Sequence, residues 1–132
     1  HNGATPLHFA AMEGHAKVTK LLMKNVENKH PRMINGKTPL YLAAEYGHLD
    51  VYKVLLEDDH DKNPAQNSKG FTPLHVAAMK GHLDVVQFIV ENVDDKNPAD
   101  DNGKTPFHYA TENGHLEVFR FFLNNIKNKW MV

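Results

Sequence analysis

One short pattern recurs four times along this chain, and it limits what the chain can fold into. Thr-Pro-Leu-His begins at Thr5, Thr-Pro-Leu-Tyr at Thr38, Thr-Pro-Leu-His again at Thr72 and Thr-Pro-Phe-His at Thr105, at spacings of 33, 34 and 33 residues. Nine residues after each Thr comes Gly-His: Gly14-His15, Gly47-His48, Gly81-His82 and Gly114-His115. A further landmark lies between units, where Lys62-Asn63-Pro64 and Lys96-Asn97-Pro98 match and Lys29-His30-Pro31 is a close variant. A unit this short cannot bury its apolar face alone, so the copies must stack into a quasi-one-dimensional array. The landmarks make residues 1–132 a single domain with repeats at about 2–34, 35–68, 69–101 and 102–132.

Each unit reads physically as two helices and a turn. Thr5 and its equivalents suit the helix N-cap, the hydroxyl accepting from the amide of the third helical residue. Pro follows at the first helical position, where its missing N–H costs nothing. Leu7, Ala10 and Ala11 then form an apolar stripe, and Gly14 closes the helix in a left-handed conformation. A second helix carries Val18, Leu21 and Leu22 on one face, as do Val51, Val54 and Leu55, Val85, Phe88 and Ile89, and Val118, Phe121 and Phe122. Asn2-Gly3, Asn35-Gly36 and Asn102-Gly103 are tight-turn signals of the hairpin type, with Lys69-Gly70 in the third copy. The expected fold is therefore an all-α repeat solenoid of stacked helix-turn-helix units joined by β-hairpin-like finger loops. The third unit has one extra residue between Pro64 and Thr72, which predicts a bulged finger.

These units resemble ankyrin repeats, a family with a period of about 33 residues, a Thr-Pro-Leu-His-x-Ala-Ala start and a Gly-His-Leu-Glu-Val-Val segment. Gly81-His82-Leu83-Asp84-Val85-Val86 and Gly114-His115-Leu116-Glu117-Val118 are near-complete matches, and the likeness covers essentially the whole chain. The chain departs from the family where Gly-Ala-Asp-Val-Asn usually follows the second helix. It has Val93-Asp94-Asp95-Lys96-Asn97 there, with Val26 and Ile126 also at the Gly position. The left-handed role then falls to Asn25, Asn92 or Asn125. His60 also breaks the pattern, in the second unit.

Composition removes several function classes. The formal net charge of -1 argues against a nucleic-acid binder and a polybasic membrane anchor. With no cysteine, there is no disulfide, thiolate zinc site or thiol nucleophile. No sequon, signal peptide or spanning apolar run is visible, which favours an intracellular, cytoplasmic or nuclear setting. A first residue in mid-pattern with no initiator Met reads as a fragment of something longer.

Seven of the ten histidines are explained by repeat position: His8, His75, His108, His15, His48, His82 and His115. Rows spaced by a stacked helix, about 10 Å, cannot converge on one ion, so they read as hydrogen-bonding buttresses and not metal ligands. A helix N-terminus and partial burial both oppose their protonation, so pKa values below the usual value near 6.5 are expected. Ser68, the one serine, has no nucleophile elbow around it. The acidic run Glu57, Asp58, Asp59 and Asp61 lacks calcium-loop spacing, and Asp94, Asp95, Asp100 and Asp101 read as solvated loop. Phe119, Phe121 and Phe122 read as core of the last unit. No catalytic residue, cofactor, metal or small-molecule substrate is indicated, so the chain reads as a non-enzyme.

The resemblance implies a protein-interaction module that binds another protein on its concave face, made by the fingers and the first helices. The alternative is a regulatory or targeting segment of a larger enzyme or channel. The corresponding positions here are Met12, Ile34, Lys37, Glu45, Tyr46, Lys69, Phe71, Met79, Lys80, Lys104, Glu112 and Asn113. Among them Met12, Tyr46, Phe71 and Met79 are apolar without an evident core role. Phe71 and Tyr46 are expected to stand exposed as anchors, ringed by Lys37, Lys69, Lys80 and Lys104 as a basic rim for an acidic partner. The apolar tail of Ile126, Trp130, Met131 and Val132 is expected to fold back on the exposed side of the last helix pair, as a makeshift cap or the stub of a fifth unit.

Overall fold

The computed structural model describes residues 2–59, 61–66 and 69–130, with the backbone alone for 126–130. His60, Ser68, Met131 and Val132 lie outside the described residues. Eight helices form four pairs: α1 (Pro6–Glu13) with α2 (Ala16–Asn25), α3 (Pro39–Tyr46) with α4 (Leu49–Leu55), α5 (Pro73–Lys80) with α6 (Leu83–Asn92), and α7 (Pro106–Glu112) with α8 (Leu116–Trp130). The first helices α1, α3, α5 and α7 stack in one row and the second helices in another. The core runs between the rows. Leu7, Leu40 and Leu74 meet Val51, Leu55, Val85, Ile89, Val118 and Phe122, and Ala43-Ala44 and Ala77-Ala78 let the first helices approach closely.

The helix starts follow the sequence logic. The hydroxyls of Thr38, Thr72 and Thr105 accept from the amides of Tyr41, His75 and His108 at 3.1, 3.3 and 3.2 Å. The imidazole Nδ1 of His8, His75 and His108 in turn accepts from the backbone N–H of Thr5, Thr72 and Thr105. That leaves Nε2 protonated, and it donates across the stack: His8 to Lys37 O at 3.0 Å and His75 to Lys104 O at 3.2 Å. A second row of histidines points the other way. His48, His82 and His115 donate from Nε2 to Met12 O, Glu45 O and Met79 O of the preceding unit, at 3.0, 2.8 and 2.7 Å. Each of these rings lies on the closing glycine of that preceding unit. A Cβ on Gly14, Gly47 or Gly81 would stand 2.7, 2.5 and 2.5 Å from the imidazole Nδ1.

The Lys-Asn-Pro landmark joins one unit to the next. Lys62 and Lys96 donate to Leu56 O and Val90 O at the end of a second helix, and Lys29 does the same to Met23 O. The neighbouring Asn63 and Asn97 accept from the amides of Leu74 and Phe107 in the next first helix, at 2.8 and 3.2 Å. In the fingers, Met33 N–H donates to Lys37 O and Asp100 N–H to Lys104 O. In the third unit Gln66 N–H reaches Phe71 O instead, one residue further, which is the expected bulge. No strand forms among the described residues, but adjacent fingers are bonded: Ile34 N–H to Asn2 O, and Asp101 N–H to Lys69 O.

Two expectations are corrected. No residue other than glycine has positive φ among those described, so Asn25, Asn92 and Asn125 are not left-handed. Val26 and Val93 close their helices in an extended conformation. The asparagine side chains instead donate back to the carbonyls of Leu21, Phe88 and Phe121. The backbone also continues α8 through Trp130 with no fold-back up to that residue, while Met131 and Val132 lie outside the described residues. The phenylalanines of the last unit do form core, with Phe122 fully buried and Phe107 stacked on Phe119 at 5.1 Å.

Two outcomes follow from the histidine contacts. Gly47 and Gly114 both have positive φ, at +76° and +69°, but only Gly47 lies under an imidazole. Gly114→Ala should cost about 1 kcal/mol in urea denaturation, the left-handed penalty alone. Gly47→Ala should cost about 2–3 kcal/mol, because it also displaces His82 and its hydrogen bond. The second outcome concerns His75, whose burial lowers its pKa against the opposing pull of the Lys104 carbonyl and Asp100. The unfolded chain therefore binds more protons once pH falls below the ordinary value near 6.5. Stability should be full above that value and fall below it until the folded pKa is passed. The urea midpoint should drop between about pH 7.5 and about pH 5, and drop less in His75→Gln.

Candidate protein-binding face

The inner face is built where each finger folds along its own first helix. Lys37 in the second finger reaches Glu45 in the last turn of α3 at 3.1 Å, and Lys104 in the fourth finger reaches Glu112 in α7 at 3.0 Å. Both ammonium groups also lie over a tyrosine of the same helix, Lys37 over Tyr41 at 5.4 Å and Lys104 over Tyr109 at 5.5 Å. The third unit fills the same two positions with Phe71 and Met79, and the first with Ala4 and Met12.

Phe71 is not the exposed anchor expected of it. It is half-buried against the core, stacked on His75 at 5.1 Å, edge-on to Tyr109 at 5.6 Å and 6.3 Å from Tyr41. Its position precedes an N-cap threonine and faces the next unit, so the ring fills the gap between α3, α5 and α7. The basic rim is corrected as well. Lys37 and Lys104 are charge-paired, while Lys69 and Lys80 are exposed on the finger and at the end of α5. Met12 and Met79 are half-buried, and Met12 packs on the core. Glu45 is half-buried and serves the scaffold twice, through its carboxylate to Lys37 and its carbonyl to His82. Glu112 and Asn113 are exposed at the end of α7, where Asn113 donates to Tyr109 O. Tyr46 is 49% exposed and Ile34, at the second fingertip, 78%.

Sequence reading missed Tyr41 and Tyr109, and Asp100, expected as solvated loop, is instead buried in the fourth finger; these three carry much of this face. Asp100 opens the fourth finger. Burial works against its ionisation, but hydrogen bonds from Tyr109 Oη and the amides of Lys104 and Asn102 outweigh it and hold the carboxyl below its ordinary range. Tyr109 is pushed up to about 12 by desolvation and by Asp100. Tyr41 also rises to about 12, through desolvation and the Glu45 charge. Their phenols therefore stay neutral donors at any physiological pH. The signal for Asp100 was its place four residues before Lys104, on the closing bond of the finger. Between the second and third fingers a crevice of about 150 Å³ opens, floored by Tyr41 and Phe71 and edged by Arg32 and Asn35. Arg32 is fixed there by donating to Gly36 O and Gln66 O at 3.0 and 2.6 Å.

A family model for ankyrin repeats in three copies matches residues 1–66 and, again, residues 59–130. The chain belongs to the ankyrin-repeat family. The two matches cover all four helix pairs of this ankyrin array. No curated protein gave a match. Ankyrin repeats are non-catalytic and typically mediate contacts between proteins. Among the described residues, no group of His, Asp and Glu converges as a metal site, and no helix is long and apolar enough to cross a membrane.

The two aromatic residues should separate by stability. Phe71→Ala removes a ring wedged between three others and should destabilise by about 2 kcal/mol in urea denaturation, below the range for fully buried rings. Tyr46→Ala should stay within about 1 kcal/mol of the parent.

Proposed function

We propose that this ankyrin array is a protein-interaction module whose partner docks on the inner face formed by the fingers and the ends of the first helices. The observation that carries the reading is the pair Tyr46 and Ile34. Both are large, apolar and exposed, and neither lies on an end face of the stack. The Lys37–Glu45 contact ties the second finger to the last turn of α3, so the finger that carries Ile34 and the helix end that carries Tyr46 belong to one surface. An exposed ring at such a place has no folding role, and tyrosine is over-represented among residues that dominate interfaces.

The electrostatics shape the partner class. With Lys37 and Lys104 neutralised by Glu45 and Glu112, the centre of the face offers apolar and aromatic contact more than net positive charge. Exposed Lys80 adds cationic character to its edge. A protein surface with an apolar centre and a modest acidic margin fits best.

The test uses the full 132-residue chain as bait, followed by affinity measurement on the partner recovered. Tyr46→Ala or Ile34→Ala should weaken binding by about 2 kcal/mol, the usual scale for a dominant interface residue. The urea midpoint should stay close to the parent's. A partner whose affinity is indifferent to both changes and to Lys80→Glu would place the interface elsewhere.

A further inference from the structure

Arg32 stands where the later units carry alanine. The residue after each junction proline is Arg32, Ala65 and Ala99 in turn, so the scaffold does not call for a cation there. The side chain is nonetheless fixed. Its Nη1 donates to Gly36 O and Gln66 O at 3.0 and 2.6 Å, which spans the second and third fingers. Gln66 holds the same joint: it is buried, donates from Nε2 to Gly36 O and accepts from the Thr38 hydroxyl. Both hydrogens of Nη1 are thereby used, and Nε and Nη2 carry the remaining N–H donors of the guanidinium. Among the described residues no carboxylate pairs with Arg32. Asp59 and Asp61 border a second cleft beside it, but Asp59 is held by His30 and Asp61 accepts from the amide of Asn63.

This cation edges the crevice of about 150 Å³ between the two fingers, which has room for one side chain and not for a helix. Its floor is aromatic, from Tyr41 and Phe71, and none of the residues lining it is acidic. Lys37 lines it too, but its charge is met by Glu45. A guanidinium with donors to spare beside two rings is complementary to a carboxylate on a short apolar stem. The oxygens take the N–H fork, and the methylenes cover the rings. We infer that the crevice seats one glutamate side chain of the protein that docks on the inner face. The inference rests on that face being the binding face. Aspartate fits less well, with one methylene fewer to lay on Tyr41 and Phe71. A phosphate group also fits less well, because its second charge would have only Lys37 to turn to, and Lys37 is already paired.

The test titrates the full 132-residue chain with the capped tripeptide acetyl-Ala-Glu-Ala-amide and with its glutamine counterpart. NMR follows the Arg32 Nε–H signal and the ring signals of Tyr41 and Phe71. The glutamate peptide should shift all three and saturate with a Kd on the order of 10 mM, the scale of one charge-assisted contact. The glutamine peptide should shift them less than about a tenth as much at equal concentration, and so should the glutamate peptide on Arg32→Ala. Alanine at this place in two later units lets that variant fold. A changed amide spectrum would move the comparison to Arg32→Gln, which keeps donors for the two carbonyls and removes the charge. The inference is overturned if the glutamine peptide acts equally, if the shifts survive loss of the Arg32 charge, if they gather around Lys80 instead, or if none appear. A phosphoserine tripeptide that binds more tightly than the glutamate one makes this a phosphate site and overturns it too. On a partner recovered with the full chain, Arg32→Ala should weaken binding by about tenfold. A loss with Tyr46→Ala and none with Arg32→Ala overturns the crevice and leaves the binding face in place. A loss with Arg32→Ala and none with Tyr46→Ala or Ile34→Ala keeps the crevice and removes the proposed centre.

Discussion

The stack depends on an imidazole placed between two units. A helix closed by glycine leaves carbonyls with no helical partner, and in a solenoid those carbonyls face the next unit instead of water. His48, His82 and His115 satisfy one of them each, and their rings occupy the space that the glycine leaves by having no Cβ. The glycine is thus used twice, for its positive φ and for its bare Cα. Gly114, with nothing above it, has the conformation without the contact. The other histidine row works in the opposite direction. His8 and His75 accept from an N-cap amide with Nδ1 and donate forward to a finger carbonyl with Nε2. Nδ1 must be bare to accept, which puts the ring proton on Nε2, so the cap bond and the cross-stack bond share one tautomer.

The Lys-Asn-Pro segment performs the same task on the loop side. An ammonium at the end of a second helix meets the negative end of its dipole as well as an unpaired carbonyl. One residue later, the asparagine supplies an acceptor to the positive end of the next unit's first helix. The segment therefore couples the end of one unit to the start of the next within two residues. The first junction has His30 in place of asparagine, and His30 contacts Asp59 at 3.1 Å instead. Each unit is held by nearest neighbours alone, so stability is carried by the interfaces and not by single helices of two or three turns.

The scaffold was legible in the sequence because its parts are local and recur. Thr, Pro, Gly and the apolar stripes act within one helix, so one reading of one unit served four times. Apart from Asn92, whose side chain acts within its own helix, the failures involve contacts between units or across a finger. Asn92 looked like a left-handed closer because the family glycine is missing, yet its side-chain amide caps Phe88 O and lets Val93 remain extended. Phe71 looked free because no pattern within its own unit calls for it, although it stacks on His75 there. The neighbours that enclose it, Tyr41 and Tyr109, come from the units on either side. Lys37 and Lys104 looked like an open rim because Glu45 and Glu112 are eight residues away, a separation that only the fold of finger onto helix makes short.

Those failures fall on the same positions that distinguish one unit from another. Where the finger meets the first helix, the four units carry Ala4 with Met12, Lys37 with Glu45, Phe71 with Met79 and Lys104 with Glu112. One gap is closed by a charge pair under which a tyrosine lies, and the next by an aromatic ring and a thioether. Both solutions fill similar space, so the interfaces behind them can stay uniform while the inner face varies. The residue following the second position differs again: Glu13, Tyr46, Lys80 and Asn113. All four are exposed, and three are polar as solubility would dictate. Tyr46 departs from that rule with its ring 49% exposed, which is why the proposed interface is centred on it.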